Sequence, residues 1–174
     1  MENRKHNRGM GIIEAVVYIA ILVLIVSVTV GSLISLSNIY RNLRSLEAVN
    51  ESAQSSLERI VRDVRGATSV DTQKSSLGAS PGDLFLNTVD QNGASTTVEY
   101  MATSSAVRVK EAGVDTGPLT ASNVRVTSLV FRLLTSAKSQ AVKIEMTLES
   151  GTSTTYVSKN FYSTAVLRGS YPLE

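Results

Sequence analysis

One carboxylate, Glu14, stands in a run that carries no other charge from Met10 to Leu36. An acid inside a membrane helix costs about 2.5–3.5 kcal/mol on insertion scales, so such a group reads as functional and its partner must be named. The segment offers no cation one helical turn away, because position 10 is methionine and position 18 is tyrosine. A cut between Gly9 and Met10 would create one. The new amine would start the helix close to Glu14, at the end where backbone groups lack helical partners. In an assembly, the amine of one copy could instead meet Glu14 of another.

Little else in the chain is equipped for chemistry. His6 is the only histidine and lies in the basic leader, so histidine-dependent triads and histidine metal sites are not expected in a processed product. There is no cysteine, which excludes disulfides and thiolate metal sites. Glu47 and Glu51 can share a helix face, but paired surface acids read as a solvated face rather than a catalytic pair. The stretch "DQNGAST" has a passing likeness to a calcium loop, yet it lacks regular oxygen-ligand spacing and a terminal glutamate. Its Asn92–Gly93 pair favours a hairpin turn. Scattered glycines form no phosphate-binding loop. No catalytic residue, metal ligand or cofactor is expected.

The formal net charge is +2, and the leader accounts for it. Arg4, Lys5 and Arg8 against Glu2 take three of the 17 basic and one of the 15 acidic residues, leaving 14 of each. A broad nucleic-acid footprint is therefore not evident, and the absence of tryptophan argues against a base-stacking surface. Locally, Arg41 and Arg44 follow the apolar run, and Arg59, Arg62 and Arg65 cluster further on. Solvated helix positions are the plainer reading of these arginines. A ridge contacting DNA or a protein partner is the sharper one.

The apolar run exceeds the roughly 20 residues needed to cross a bilayer as a helix and the roughly 7–15 of a secretory signal core. A cleavage site near Val30–Gly31–Ser32 is conceivable, and a plain signal anchor is a further alternative that leaves Glu14 unexplained. Ser27, Thr29, Ser32 and Ser35 can bond back to helix carbonyls.

The end of the leader, "RG", and the apolar run after it, "MGIIEAVVYIAILVLIVSV", together resemble the N-terminus of a type IV prepilin or pseudopilin. In that family a short basic leader ends in glycine, a hydrophobic residue comes next, and glutamate occupies the fifth mature position. Gly9, Met10 and Glu14 fit those places, and Ile12 and Ile13 fit the aliphatic ones between. Gly11 departs from the usual threonine or serine. The resemblance implies cleavage between Gly9 and Met10 by a prepilin peptidase, with N-methylation of Met10 by the same peptidase/N-methyltransferase. It implies that Glu14 assists docking by pairing with the amine of an adjacent subunit, and that an inner-membrane assembly platform moves the helix from membrane lipid into a filament of other pilin or pseudopilin subunits. The endings "LERIVRDVRGA", "SLVFRLL" and "FYSTAVLRG" are similar to those of J-type minor pseudopilins and W-type minor pilins. The implied protein is a minor structural subunit of a type IV pilus or a type II secretion-type pseudopilus, not an enzyme. It would sit as a single-pass inner-membrane protein with its leader in the cytoplasm and its domain outside. The alternative is a membrane-anchored extracytoplasmic binding or adhesion module that does not polymerise.

Periodicity sets the fold. Leu36, Ile39, Tyr40, Leu43 and Leu46 recur at helical spacing, and Leu57, Ile60, Val61 and Val64 resume it, with Val49 and Ala53 between. Pairs Glu58–Arg62 and Arg59–Asp63 are placed to bridge at i,i+4. These features predict one helix from Met10 to Arg65, roughly 84 Å long, stopped by Gly66. Residues 68–82 read as a loop. Strands are expected at "LFLNTV", "TTVEYMA", "AVRVKEA", "VRVTSLVFRLL" and "AVKIEMTLE", then a final pair, "TTYVSKN" and "FYSTAVLRG", with "GVDTGPLT" as a turn region. The expectation is an α+β fold, a long N-terminal helix packed on an antiparallel β-sheet. Its divisions are leader 1–9, membrane and assembly half-helix 10–36, amphipathic half-helix 37–67 and β domain 68–174.

Overall fold

Helix α1 spans Ile12–Gly66 in the computed structural model, which describes residues 11–90, 92–103, 105–136 and 139–168. It ends where the glycine predicts. Its only interior glycine, Gly31, has open space around it. The chain divides into two units, Met1–Tyr40 and Arg41–Glu174.

In the first unit every described residue is exposed, including the aliphatic series from Ile12 to Leu36. Among the described residues α1 is the one helix long and apolar enough to cross a membrane, with a mean hydropathy of 2.7 over its most apolar stretch. Fully burying a single Val, Leu or Ile is worth about 1.5–3 kcal/mol, so an apolar surface of this extent requires lipid or neighbouring helices around it. The hydroxyls of Ser27, Thr29 and Ser32 donate to the carbonyls of Val23, Ile25 and Val28 at 2.8, 2.8 and 2.9 Å, which hides their polarity within the helix.

In the second unit the helix acquires a buried face: Val49, Ser52, Ala53, Ser56, Ile60 and Val64, at the three- and four-residue spacing of one stripe. Among the described residues it packs on eight antiparallel strands arranged as two sheets, not one. The first has the order β1 (Ser69–Val70), β2 (Asp83–Val89), β3 (Ser95–Ala102), β4 (Val107–Glu111) and β5 (Val114–Pro118). The second has the order β6 (Val124–Thr135), β7 (Gln140–Ser150) and β8 (Val157–Val166). This is the expected α+β architecture of pilin-like kind, a long apolar N-terminal helix packed against antiparallel sheets.

The core is continuous between helix and sheets. Leu84 and Leu86, Val107 and Val109, Leu129 and Phe131, and Val142, Ile144, Met146 and Leu148 alternate inward along their strands against Ile60 and Val64. The β7 alternation is the one its sequence predicts.

Three local expectations are corrected. Within "GVDTGPLT" the residues Val114–Pro118 form a strand, β5, because the reversal falls just before them, at Ala112 and Gly113, whose φ values of 50° and 82° turn the chain. The final two strand candidates are one, β8, since neither glycine nor proline interrupts Asn160–Phe161; its ten residues all pair with β7. The sheet is split because the outer edge of β6 is taken by a loop rather than a strand. Gly78 and Gly82 donate their N–H groups to the carbonyls of Phe131 and Leu129, both at 2.8 Å. A Cβ at Gly82 would lie 2.9 Å from the Leu129 carbonyl oxygen, so only glycine allows this approach. Residues 68–82 are otherwise the irregular segment expected, with β1 a two-residue addition to β2.

Candidate functional site

The processing positions Gly9 and Met10 lie outside the described residues. The chain is described from Gly11, whose carbonyl accepts from the N–H groups of Glu14 and Ala15 at 3.0 and 3.2 Å and so opens the helix. Glu14 therefore sits in the first turn of α1, where a carboxylate complements the helix dipole. It is exposed on an apolar cylinder. The Tyr18 hydroxyl donates towards Glu14 Oε1 at 3.5 Å, the outer limit of a hydrogen bond. A neutral phenol does not cancel a charge, and among the described residues no cation pairs with Glu14. In the sequence Tyr18 reads only as the absence of a cation, although its i,i+4 spacing is the signal that places a hydroxyl here.

The second half of α1 carries the other polar constellation. The predicted Arg59–Asp63 bridge forms, Nε to Oδ2, at 2.9 Å. Glu58 does not take Arg62 but accepts from Gln54 Nε2 at 2.9 Å, while Arg62 leans towards Asp63 at 3.6 Å. Two residues unforeseen in the sequence complete the network. Tyr100 on β3 is fully buried, and its hydroxyl donates to Asp63 Oδ2 at 2.5 Å. Glu111 on β4 accepts from the second arm of Arg59. Burial, then the bond to Asp63, holds the Tyr100 phenol well above its ordinary pKa. The bond to Asp63 likewise raises the Arg59 guanidinium. The network clips helix to sheet and lies against the core.

Among the described residues no group of three or more His, Cys, Asp or Glu could hold a metal ion. In the stretch considered for calcium, Asp90 Oδ1 accepts from the Ala94 and Asn92 N–H groups, both at 2.8 Å. Those bonds keep its carboxyl below the usual range, and Gly93 takes φ 80°. The stretch is a hairpin turn whose carboxylate is occupied by its own backbone.

Glu47 and Glu51 are both exposed, as are Arg41, Arg44, Arg62 and Arg65. Arg62 and Arg65 meet Arg168, just after β8, around a shallow groove of about 600 Å³ completed by Glu58, Val61 and Gly66. Comparison with family models, curated proteins and solved structures returns no match.

Proposed function

We propose that this chain is a minor structural subunit of a type IV pilus or a type II secretion-type pseudopilus. Prepilin peptidase cuts between Gly9 and Met10 and the new N-terminus is methylated. The processed chain waits in the inner membrane, leader side in the cytoplasm and β domain outside. The assembly platform then moves α1 from lipid into a bundle with other subunits. The protein works by assembly and not by turnover.

One observation carries this reading: Glu14 is the single charge of the exposed apolar stretch of α1 from Ile12 to Leu36, in the helix's first turn, with no cation of the described chain to neutralise it. A methylated Met10 amine from a neighbour supplies that charge and fixes axial register. The α+β domain after the helix supports the same reading.

Two measurements test it. Mass spectrometry of membrane-extracted protein should find Met10, N-methylated, as the first residue, and Gly9→Arg should insert unprocessed. Sheared surface filaments or pseudopili should contain the processed chain. An N-terminus near Ser32 would establish an ordinary secretory signal, and a processed chain confined to the membrane would favour the non-polymerising binding module.

A further inference from the structure

The face of α1 opposite its buried stripe is zoned by charge. At 100° per residue, Glu47, Glu51, Glu58, Arg62 and Arg65 fall on one outward strip, opposed to Val49, Ser56 and Ile60. All five are exposed. Arg44, exposed and at the same angle as Arg62, opens the strip; the acids follow and Arg62 and Arg65 close it, with Arg168 added beside them across the groove.

Charges elsewhere on this unit are mostly neutralised locally. Arg108, Lys110, Arg125, Arg132 and Lys143 on the strands each have a carboxylate within 3.3 Å. In contrast, among the described residues Arg44, Glu47, Glu51, Arg65 and Arg168 have no ion-pair partner, and Arg62 has only the 3.6 Å contact with Asp63. Charge that runs basic, acidic, basic along one face, Arg44, then Glu47, Glu51 and Glu58, then Arg62 and Arg65, is complementary to the same face displaced by about 14 residues, which sets Arg44 against Glu58 and Glu51 against Arg65.

We propose that the Arg62–Arg65–Arg168 groove receives the Glu47–Glu51 turn of a second copy of this chain, with the two helices parallel and staggered. Matching Glu51 to Arg65 sets a displacement of 14 residues, or about 21 Å of helix. The parallel sense rests on the filament function proposed for this chain, since membrane anchors inserted the same way cannot oppose one another. The groove wall at Val61 gives the incoming carboxylates a partly desolvated setting, in which guanidinium pairing is stronger than in open water.

The absence of cysteine makes the test direct. In the full-length double variant Glu51→Cys, Arg65→Cys the two thiols are about 21 Å apart within one helix, too far to join. A short bis-maleimide, able to span the gap left by a Glu–Arg pair but not the separation within one helix, should give a cross-linked ladder in intact membranes and in sheared filaments, with neither single variant cross-linking. Separately, Arg62→Glu with Arg65→Glu should lower co-purification of a tagged and an untagged copy by about tenfold, the scale of close charge pairs at interfaces. Adding Glu47→Arg and Glu51→Arg to that chain should restore it. A ladder in membranes alone would uphold this contact while removing the filament reading. No ladder in either fraction, dimers from a single cysteine variant, or a charge swap without rescue would overturn the contact. So would normal copy association by the Arg62→Glu, Arg65→Glu variant with loss of retention on a DNA duplex, which would make the arginines a phosphate site.

Discussion

A buried phenol bonded to a carboxylate is sensitive to alkali, and Tyr100 gives this fold such a group. Its pKa is raised in the native state, while in the unfolded chain it titrates near the ordinary value of about 10. Below about pH 10 both states hold the proton, so the full stabilisation is present. As pH rises beyond that, the unfolded state loses its proton while the native state keeps it, and stability falls. Tyr100→Phe removes the donor and leaves Asp63 to Arg59 and Arg62. It should cost about 1.5–3 kcal/mol at neutral pH, the range for hydrogen bonds to charged groups. It should also flatten the fall in stability above about pH 10. Thermal melts of the detergent-solubilised chain at neutral pH and at pH values straddling that point check both; an unchanged alkaline slope would mean that Tyr100 does not set it. Arg59–Asp63 is legible in the sequence because i,i+4 spacing is local. Tyr100 and Glu111 reach the same site from 37 and 52 residues away along the chain, a proximity that no local spacing encodes.

Elements in this chain are legible where one side of them is buried. Val142, Ile144, Met146 and Leu148 declare β7, and the stripe through Ile60 and Val64 declares the end of α1, because burial imposes a period of its own. β5 resists the same reading. Asp115, Gly117 and Pro118 are turn-forming residue types, and an edge strand that buries none of its five residues has no alternation to display. The separation into two sheets is likewise silent in the hydrophobic pattern, since it depends on a loop lying against β6. Gly82 is the residue that permits it. A Cβ there would meet the carbonyl oxygens of Leu129 and Ala79 at 2.9 and 3.1 Å and the Phe131 ring at 3.3 Å. Two of the three are backbone and cannot swing aside. Gly82→Ala should therefore destabilise by about 1–3 kcal/mol, as overpacking does. The drop in Tm should exceed that of Gly78→Ala corrected for its positive φ of 79°, because open space surrounds Gly78.

At the scale of the whole molecule, the exposed apolar stretch of α1 and its one acid pull in opposite directions. Lipid favours Ile12 to Leu36 and penalises Glu14 by about 2.5–3.5 kcal/mol, so Glu14→Leu should insert in the membrane at least as well as the native chain. An acid kept for topology or folding alone would then be dispensable for everything downstream. An acid that pairs with a neighbour's Met10 amine would not be: Glu14→Leu should accumulate as processed membrane protein and enter filaments poorly, even with native subunits present. Glu14→Asp should fall between, since it keeps the charge and shortens the reach. Tyr18→Phe separates the two possible partners of the carboxylate. It removes the hydroxyl 3.5 Å from Oε1 but leaves any intersubunit amine in place, so it should assemble as the native chain does. The measurement is filament incorporation at equal levels of processed protein. Equal incorporation of Glu14→Leu would remove the functional case for the acid, and a defect shared by Tyr18→Phe would relocate its partner from a neighbouring subunit to its own helix.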